Sequence, residues 1–516
     1  MYDIILKNGL VLDGRGNEAR RANVAVFSDS IALVTDNDIT RARTIIDCTG
    51  KYVAPGFIDA HCHTDFLVLT DPKAEARIGQ GITTDVTGNC GIGTFPYASP
   101  VLKEMVKDVI GEWKEWKWKD FSSMKRYYTE RKIGVNELFL VSHTALRTAV
   151  MGDDCRRAAT EEEIDRMCSL LGSELESGAA GFSTGLYYSP CVYSTDEELY
   201  RLLCTVKEKN RIFTVHHRSE GNGCYESLRS VLETAARSGV RTEISHLKAI
   251  GKKNQCEVER MISLIEEYRR NGLDVKFDQY PYTFGSTSLF SLLPPRVLAF
   301  SRLEQRMALS LENEREEIKK EILTDTDWDS IYPLVGPDDI RALYLSSNPS
   351  FNGLSLTEIA NRLGVSDPLD ALFDVLRDET GLAVMTDTTE TGESLERIMV
   401  HPLMCFGTDS LYSSPMPHPR SYHSTVEFLS KYVRDRKLLT LEEGVRRMTG
   451  ETARRFGIND RGVIEEGKRA DIVVFDYDAL RVNDDNTNSG LDCVILNGKV
   501  APLHGEIFYT GEGRVL

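Results

Sequence analysis

Residues 181–216 read GFSTGLYYSPCVYSTDEELYRLLCTVKEKNRIFTVH. A short strand, Gly181–Gly185, is followed by EELYRLLCTVKEKN, whose apolar residues recur at helical spacing. A second strand, Ile212–His216, ends in a histidine. Strand, helix and strand in this order make a βα unit with parallel strands. The same rhythm extends outward on both sides. Candidate strands lie at Phe57–His63, Thr83–Asn89, Glu137–His143, Gly181–Gly185, Ile212–His216, Thr242–His246, Asp274–Asp278 and Met404–Asp409. Eight such units predict an α/β fold, a (β/α)8 barrel of the TIM type.

The rhythm breaks between the seventh and eighth strands. Residues 286–350 carry the charged helical run RLEQRMALSLENEREEIKKEIL and then loop, which predicts an insertion acting as a lid over the barrel mouth. Residues 1–55 (YDIILKNG, ANVAVFSD) and 460–516 (RGVIEEGKRADIVVFD, LDCVILNGKV) share a texture of short strands and turns. They predict one small β-sandwich domain built from both chain termini, which leaves 56–459 for the barrel. The run WKEWKW at 113–118 has the look of a nucleic-acid or membrane patch, and is read as an exposed amphipathic helix.

At 516 residues the chain exceeds one ordinary domain. Its net charge of −17 repels polyphosphate and anionic lipid, which argues against nucleic-acid and membrane partners. Eleven cysteines without CxxC pairs suit a reducing compartment, and the start, MYDIILKNGLVLDG, lacks the layout of a signal peptide. No apolar run reaches the length of a membrane-spanning helix. The expected location is the cytoplasm.

In barrel enzymes the chemistry comes from the C-terminal ends of different strands. Here those ends carry His61 and His63 (first), Cys90 (second), His216 (fifth), His246 (sixth) and Asp409 (eighth). Zinc takes imidazole, thiolate and carboxylate, so this set suffices for one or two ions. Each residue alone is weak evidence: a strand-end histidine is usually a hydrogen-bonded core residue, and a free cysteine a small buried hydrophobe. His143 is read in that plainer way, as a supporting residue. The joint pattern carries the argument, because four of only ten histidines fall at strand ends in barrel order.

The stretch APGFIDAHCHTD resembles the amidohydrolase superfamily signature. QGITTDVTGNCGIG, GFSTGLYYSP, HHRSEG, ISHLKAIG, DQYPYTFGSTSL, FGTDS and HPRSY resemble, in order along the chain, the D-aminoacylase (N-acyl-D-amino-acid deacylase) family. The resemblance implies zinc-dependent hydrolysis of small anionic N-acyl-D-amino acids, with one tight zinc and a weaker second site. It implies that His61 and His63 hold one metal position, that His216 and His246 hold the other, and that Cys90 bridges them. Asp409 would be the acid/base beside the first position. His216 rather than His217 fits the family spacing HxRxE through Arg218 and Glu220. Lys248, Tyr282 and Arg420 match positions that bind the substrate carboxylate. Tyr188 matches the residue that polarises the scissile carbonyl, with Tyr187 as its neighbour and rival.

One departure concerns the substrate side chain. The sequence reads LLPPRVL where many relatives carry an aromatic residue at the position of Arg296. Arg296 is either a partner for an acidic side chain or an exposed residue of the lid. Two other readings compete with the deacylase. A cyclic-amide hydrolase of the dihydropyrimidinase or dihydroorotase kind would want a bridging lysine after the fourth strand, where this chain has GFSTG. A non-enzymatic scaffold would have lost ligands, and none is missing.

Overall fold

The computed structural model describes residues 1–96, 99–110, 116, 118–324, 328–412, 414–503 and 510–516. Eight strands form its centre: β1 (Phe57–Cys62), β2 (Ile82–Thr87), β3 (Asn136–Ser142), β4 (Gly181–Gly185), β5 (Ile212–His216), β6 (Arg241–Ile244), β7 (Val275–Gln279) and β8 (Met404–Phe406). They pair in parallel in chain order, and nearly every residue in them is buried on both faces. Such strands lack clean polar alternation because one face meets helices and the other fills the barrel. The ring closes where the backbone beyond β8 meets the end of β1: Asp409 N donates to His61 O at 2.7 Å, and His63 N to Ser410 O at 3.0 Å. Helices such as Glu161–Glu176 and Asp196–Glu208 return the chain between strands, and their threonine N-caps (Thr160, Thr195) accept backbone hydrogen bonds.

Part of the barrel interior is ionic. Arg77, fully buried, reaches inward to Asp59 and Asp85 and donates to Ser410 Oγ at 2.9 Å. Asp59 Oδ1 in turn accepts from His61 N (3.0 Å) and Thr408 N (2.9 Å). This buried pair therefore ties the histidine end of β1 to the segment that carries Asp409.

Both chain ends contribute to one eight-stranded sheet. Tyr52–Pro55 pairs antiparallel with Ile472–Phe475, joining five strands from residues 2–55 to three from 472–502. The insertion runs further than 286–350. Three strands, Phe284–Ser288, Ile340–Leu345 and Ala383–Thr388, form one antiparallel sheet, and helices Leu356–Leu363 and Pro368–Asp378 pack with it around a separate apolar core. The charged helix marks only the solvent side of this unit; its later half is ordinary amphipathic helix. In the 113–118 run, residues 113–115 and 117 lie outside the described residues. Trp116 and Trp118 are buried rather than exposed, and both donate Nε1 to the Thr94 carbonyl. Among the described residues no helix is long and apolar enough to cross a membrane.

Candidate active site

The strand-end residues converge at the mouth of the barrel. Cys90 Sγ lies 3.2 Å from His61 Nε2 and 3.4 Å from His246 Nε2, and His216 Nδ1 lies 3.0 Å from His246 Nε2. Asp409 Oδ1 is 3.3 Å from His63 Nε2 and 3.5 Å from His61 Nε2. Donor atoms of His61, Cys90, His246 and Asp409 all lie within 4.8 Å of one another, as do those of His216, Glu220 and His246. His63 joins through Asp409. All six predicted metal ligands are thus brought together and buried. His217 is turned away, with Nδ1 3.1 Å from Ser227 Oγ, because adjacent residues at a strand end face opposite sides. His143 supports the wall, with Nδ1 on Thr184 and Nε2 2.9 Å from Glu198.

The backbone at this cluster is held in an uncommon conformation. Cys90, His246 and Asp409 all have positive φ, at 53°, 32° and 50°. Non-glycine residues rarely adopt this region, and they keep it at functional sites when the surroundings enforce it. Next to Cys90, Gly91 also has positive φ, and a Cβ there would meet Gly185 N at 2.5 Å. A Cβ on Gly185 would collide with the Cys90 carbonyl. The Cys90 loop therefore lies directly on the end of β4, where a bridging lysine would have stood.

Electrostatics suit a cation. Burial alone would raise the Cys90 thiol, but His61 and His246 overcome this and hold it well below its ordinary value. Burial opposes charge on His61, yet Asp278 and Cys90 raise it. Asp409 is likewise pulled well down, against burial, by Arg420 and then His63. Behind the donors, Asp278 lies 3.1 Å from His61 Nδ1 and Glu220 3.0 Å from His246 Nδ1. Carboxylates placed behind ligating histidines orient the rings. Cys90, His216 and His246 match the thiolate–imidazole chemistry of zinc, with His61, His63 and Asp409 as neighbours. A third acid–thiol group, Asp59, Cys62 and Asp85, already holds a cation in the Arg77 guanidinium.

The other predicted residues divide. Lys248 (3% exposed) contacts Glu220 at 2.9 Å and His246 Nδ1 at 2.7 Å, and Arg420 Nη1 contacts Asp409 at 2.8 Å. Tyr188 packs against His216 with ring centroids 5.0 Å apart, whereas the Tyr187 hydroxyl is bound to the Asp329 carbonyl. Burial pushes the Tyr188 phenol well above its usual range, so it stays a proton donor. Tyr282 is not at the site: its ring packs on His418 and Phe284. The site tyrosine is Tyr280, over whose ring Lys248 Nζ and Arg420 Cζ lie at 5.8 and 5.0 Å. Strand β7 ends at Gln279, and the chain turns at Pro281, so Tyr280 stays inside while Tyr282 swings out. Arg296 does not reach the cavity either; it is engaged by Glu314, Glu317 and Glu321 of helix Glu312–Thr324. Sequence reasoning also left Asp278 and Glu220 without roles, although each is an acid at or just past a strand end.

The profile of the amidohydrolase family matches residues 44–290 and 349–502, omitting most of the inserted unit's first half. N-acyl-D-glutamate deacylase of Alcaligenes xylosoxydans xylosoxydans is 32% identical, covering 96% of this chain and 93% of its own. D-aminoacylase of the same organism is also 32% identical, over 100% of this chain and 97% of its own. The solved N-acyl-D-glutamate deacylase from Bordetella bronchiseptica, complexed with zinc and a phosphonate inhibitor, superposes with a TM-score of 0.85 at 30% identity, covering 100% of this chain and 99% of that one. Matches of this length, joined to the Cys–His cluster on the barrel, show that the chain belongs to the amidohydrolase family and, within it, to the D-aminoacylases.

Proposed function

We propose that the protein hydrolyses the amide bond of N-acyl-D-amino acids in a zinc-dependent reaction. One observation carries this reading: the Cys90–His216–His246 donor set lies beside Asp409, and Lys248, Tyr280 and Arg420 gather positive charge and a phenol next to it. Arginine and lysine together suit a carboxylate. The D configuration rests on kinship with N-acyl-D-glutamate deacylase and D-aminoacylase. No lysine stands at the end of β4, which disfavours the cyclic-amide reading. The eleven unpaired cysteines suit a cytoplasmic location.

When bound, zinc polarises the scissile carbonyl and acidifies water. Asp409 removes a proton from the attacking water as the C–O bond forms. The Tyr188 hydroxyl donates a hydrogen bond to the oxygen on which charge develops. Asp409 then gives its proton to the amide nitrogen as the C–N bond breaks, because a bare amide anion leaves poorly. The products are a carboxylate and a free D-amino acid. Lys248, Tyr280 and Arg420 hold the substrate carboxylate throughout.

The test is release of free amine from N-acetyl-D-amino acids and their L-enantiomers, run with metal analysis and chelation. D-selective hydrolysis lost on chelation is expected. Activity only on cyclic amides, or full activity without metal, would overturn the reading.

A further inference from the structure

Two cavities meet at the catalytic cluster, and they differ in size and character. The smaller, about 60 Å³, holds Lys248 and Tyr280. The larger, about 640 Å³, runs outward from His63 and Cys90 between helix Pro100–Ile110 and the inserted unit. Its walls include Val101, Met105, Phe290, Leu298, Phe300 and Val384. Glu104, Asp153, Arg156 and Glu304 stand at its rim and are exposed, and Arg302 is half-buried with its guanidinium laid over the Phe290 ring and hydrogen-bonded to Gln305. Tyr188, His246, Asp409 and Arg420 line both cavities, so the scissile carbonyl belongs at their junction.

This geometry sorts the two halves of the substrate, given the deacylase reading on which the argument rests. The carbonyl carbon bears the nitrogen, leading to Cα and the carboxylate, and on its other side the acyl group. With the carboxylate on Lys248 and Tyr280 in the small cavity, the acyl group points into the large one. An acetyl methyl is about the size of one water, ~30 Å³, and would leave the apolar walls wet. Cavities of ~300–1,000 Å³ bury far larger ligands.

We infer that the large cavity is an acyl-chain site and that the substrates are D-amino acids bearing an extended apolar acyl group. Burying each further methylene is worth about fourfold in affinity. N-octanoyl-D-leucine is therefore hydrolysed with kcat/KM at least tenfold above N-acetyl-D-leucine. N-acetyl-D-2-aminodecanoate, which carries the same apolar chain on Cα instead, gains nothing over N-acetyl-D-alanine.

Two further measurements bear on the same point. Leu298→Asp and Val101→Asp each lower the octanoyl-to-acetyl ratio at least tenfold. In Asp409→Asn, calorimetry finds N-octanoyl-D-leucine bound at least tenfold more tightly than the acetyl compound. Acetyl substrates cleaved with no gain from octanoyl, or a gain only from the chain on Cα, would overturn the acyl-chain site while leaving the deacylase reading intact. If no N-acyl-D-amino acid of either kind is cleaved, the deacylase reading itself falls, and this inference with it.

Discussion

The Arg420 guanidinium lies 2.8 Å from the Asp409 carboxylate, and both are buried at the junction of the two cavities. Arg420 is thus the partner of the proposed acid/base as well as part of the proposed carboxylate site. On that proposal, a substrate carboxylate at Lys248 and Tyr280 would compete for the same guanidinium. In the proposed reaction, Arg420 would couple the binding of the substrate's charged end to the freedom of Asp409 to move a proton.

Arg420→Met removes both contacts. A charge-assisted hydrogen bond contributes about 1.5–3 kcal/mol, so kcat/KM falls by roughly one to two decades. KM and kcat both change, because the carboxylate loses its anchor and Asp409 its partner. A rise in KM with kcat unchanged would show that the contact with Asp409 is idle.

Asp409→Asn keeps the shape of the side chain but cannot shuttle a proton. Turnover falls by about 10²–10⁴. Zinc content stays close to that of the parent, since Cys90, His216 and His246 remain. Steady-state kinetics with metal analysis on the same preparation checks both halves.

Cys90→Ala deletes the thiolate shared by His61 and His246. Tightly bound zinc is lost and activity with it, because the thiolate is the donor that both imidazoles share, and the anionic groups that remain, Asp409 and Glu220, are already paired with Arg420 and Lys248. The loss shows in elemental analysis after dialysis against a weak chelator. Full zinc retention would remove Cys90 from the centre.

Arg296→Leu leaves the choice between acidic and apolar D-substrates unchanged, since the guanidinium is held by Glu314, Glu317 and Glu321. It is more than a third exposed (37%). Such pairs contribute about 0.2–1 kcal/mol each, so a small drop in Tm is the expected effect. A selective loss on N-acyl-D-glutamate would reinstate Arg296 as a substrate contact.

Glu451 links the barrel to its outer helices through Lys276, Arg446 and Arg454. Burial alone would raise its pKa, but the Lys276 hydrogen bond and its basic neighbours lower it from 4.5 to about 2. A carboxylate whose pKa falls on folding stabilises fully above the unfolded value, and this contribution is lost as pH drops through the folded value. Glu451→Gln therefore costs about 3–5 kcal/mol at neutral pH. The gap from the parent narrows between pH 4.5 and 2. Denaturant melts across that range measure it, and a gap that does not narrow would assign the loss to packing alone.

The sequence by itself determined the barrel and the candidate donor residues at its mouth. The barrel strands are short and spaced along the chain, the intervening helices carry 3.6-residue periodicity, and both signals are local. A strand end also points its last inward residue to the mouth, so His61 and His246 could be placed from spacing, whereas the resemblance separates His216 from His217. Tertiary structure decided what happens where the chain leaves a strand. Tyr280 rather than Tyr282 faces the site because the backbone turns at Pro281. Arg296 is held away because helix Glu312–Thr324 folds back and presents three glutamates to it. The insertion extends to Thr388 because its last strand completes a sheet begun at Phe284, a pairing between residues about a hundred positions apart. Trp116 and Trp118 look like surface residues beside lysines, but both join the main apolar core, where Trp118 packs on Tyr127 and Tyr128 and both reach the Thr94 carbonyl. Apart from the turn at Pro281, the deciding contact comes each time from a segment remote in sequence, and no local periodicity reports which segment that is.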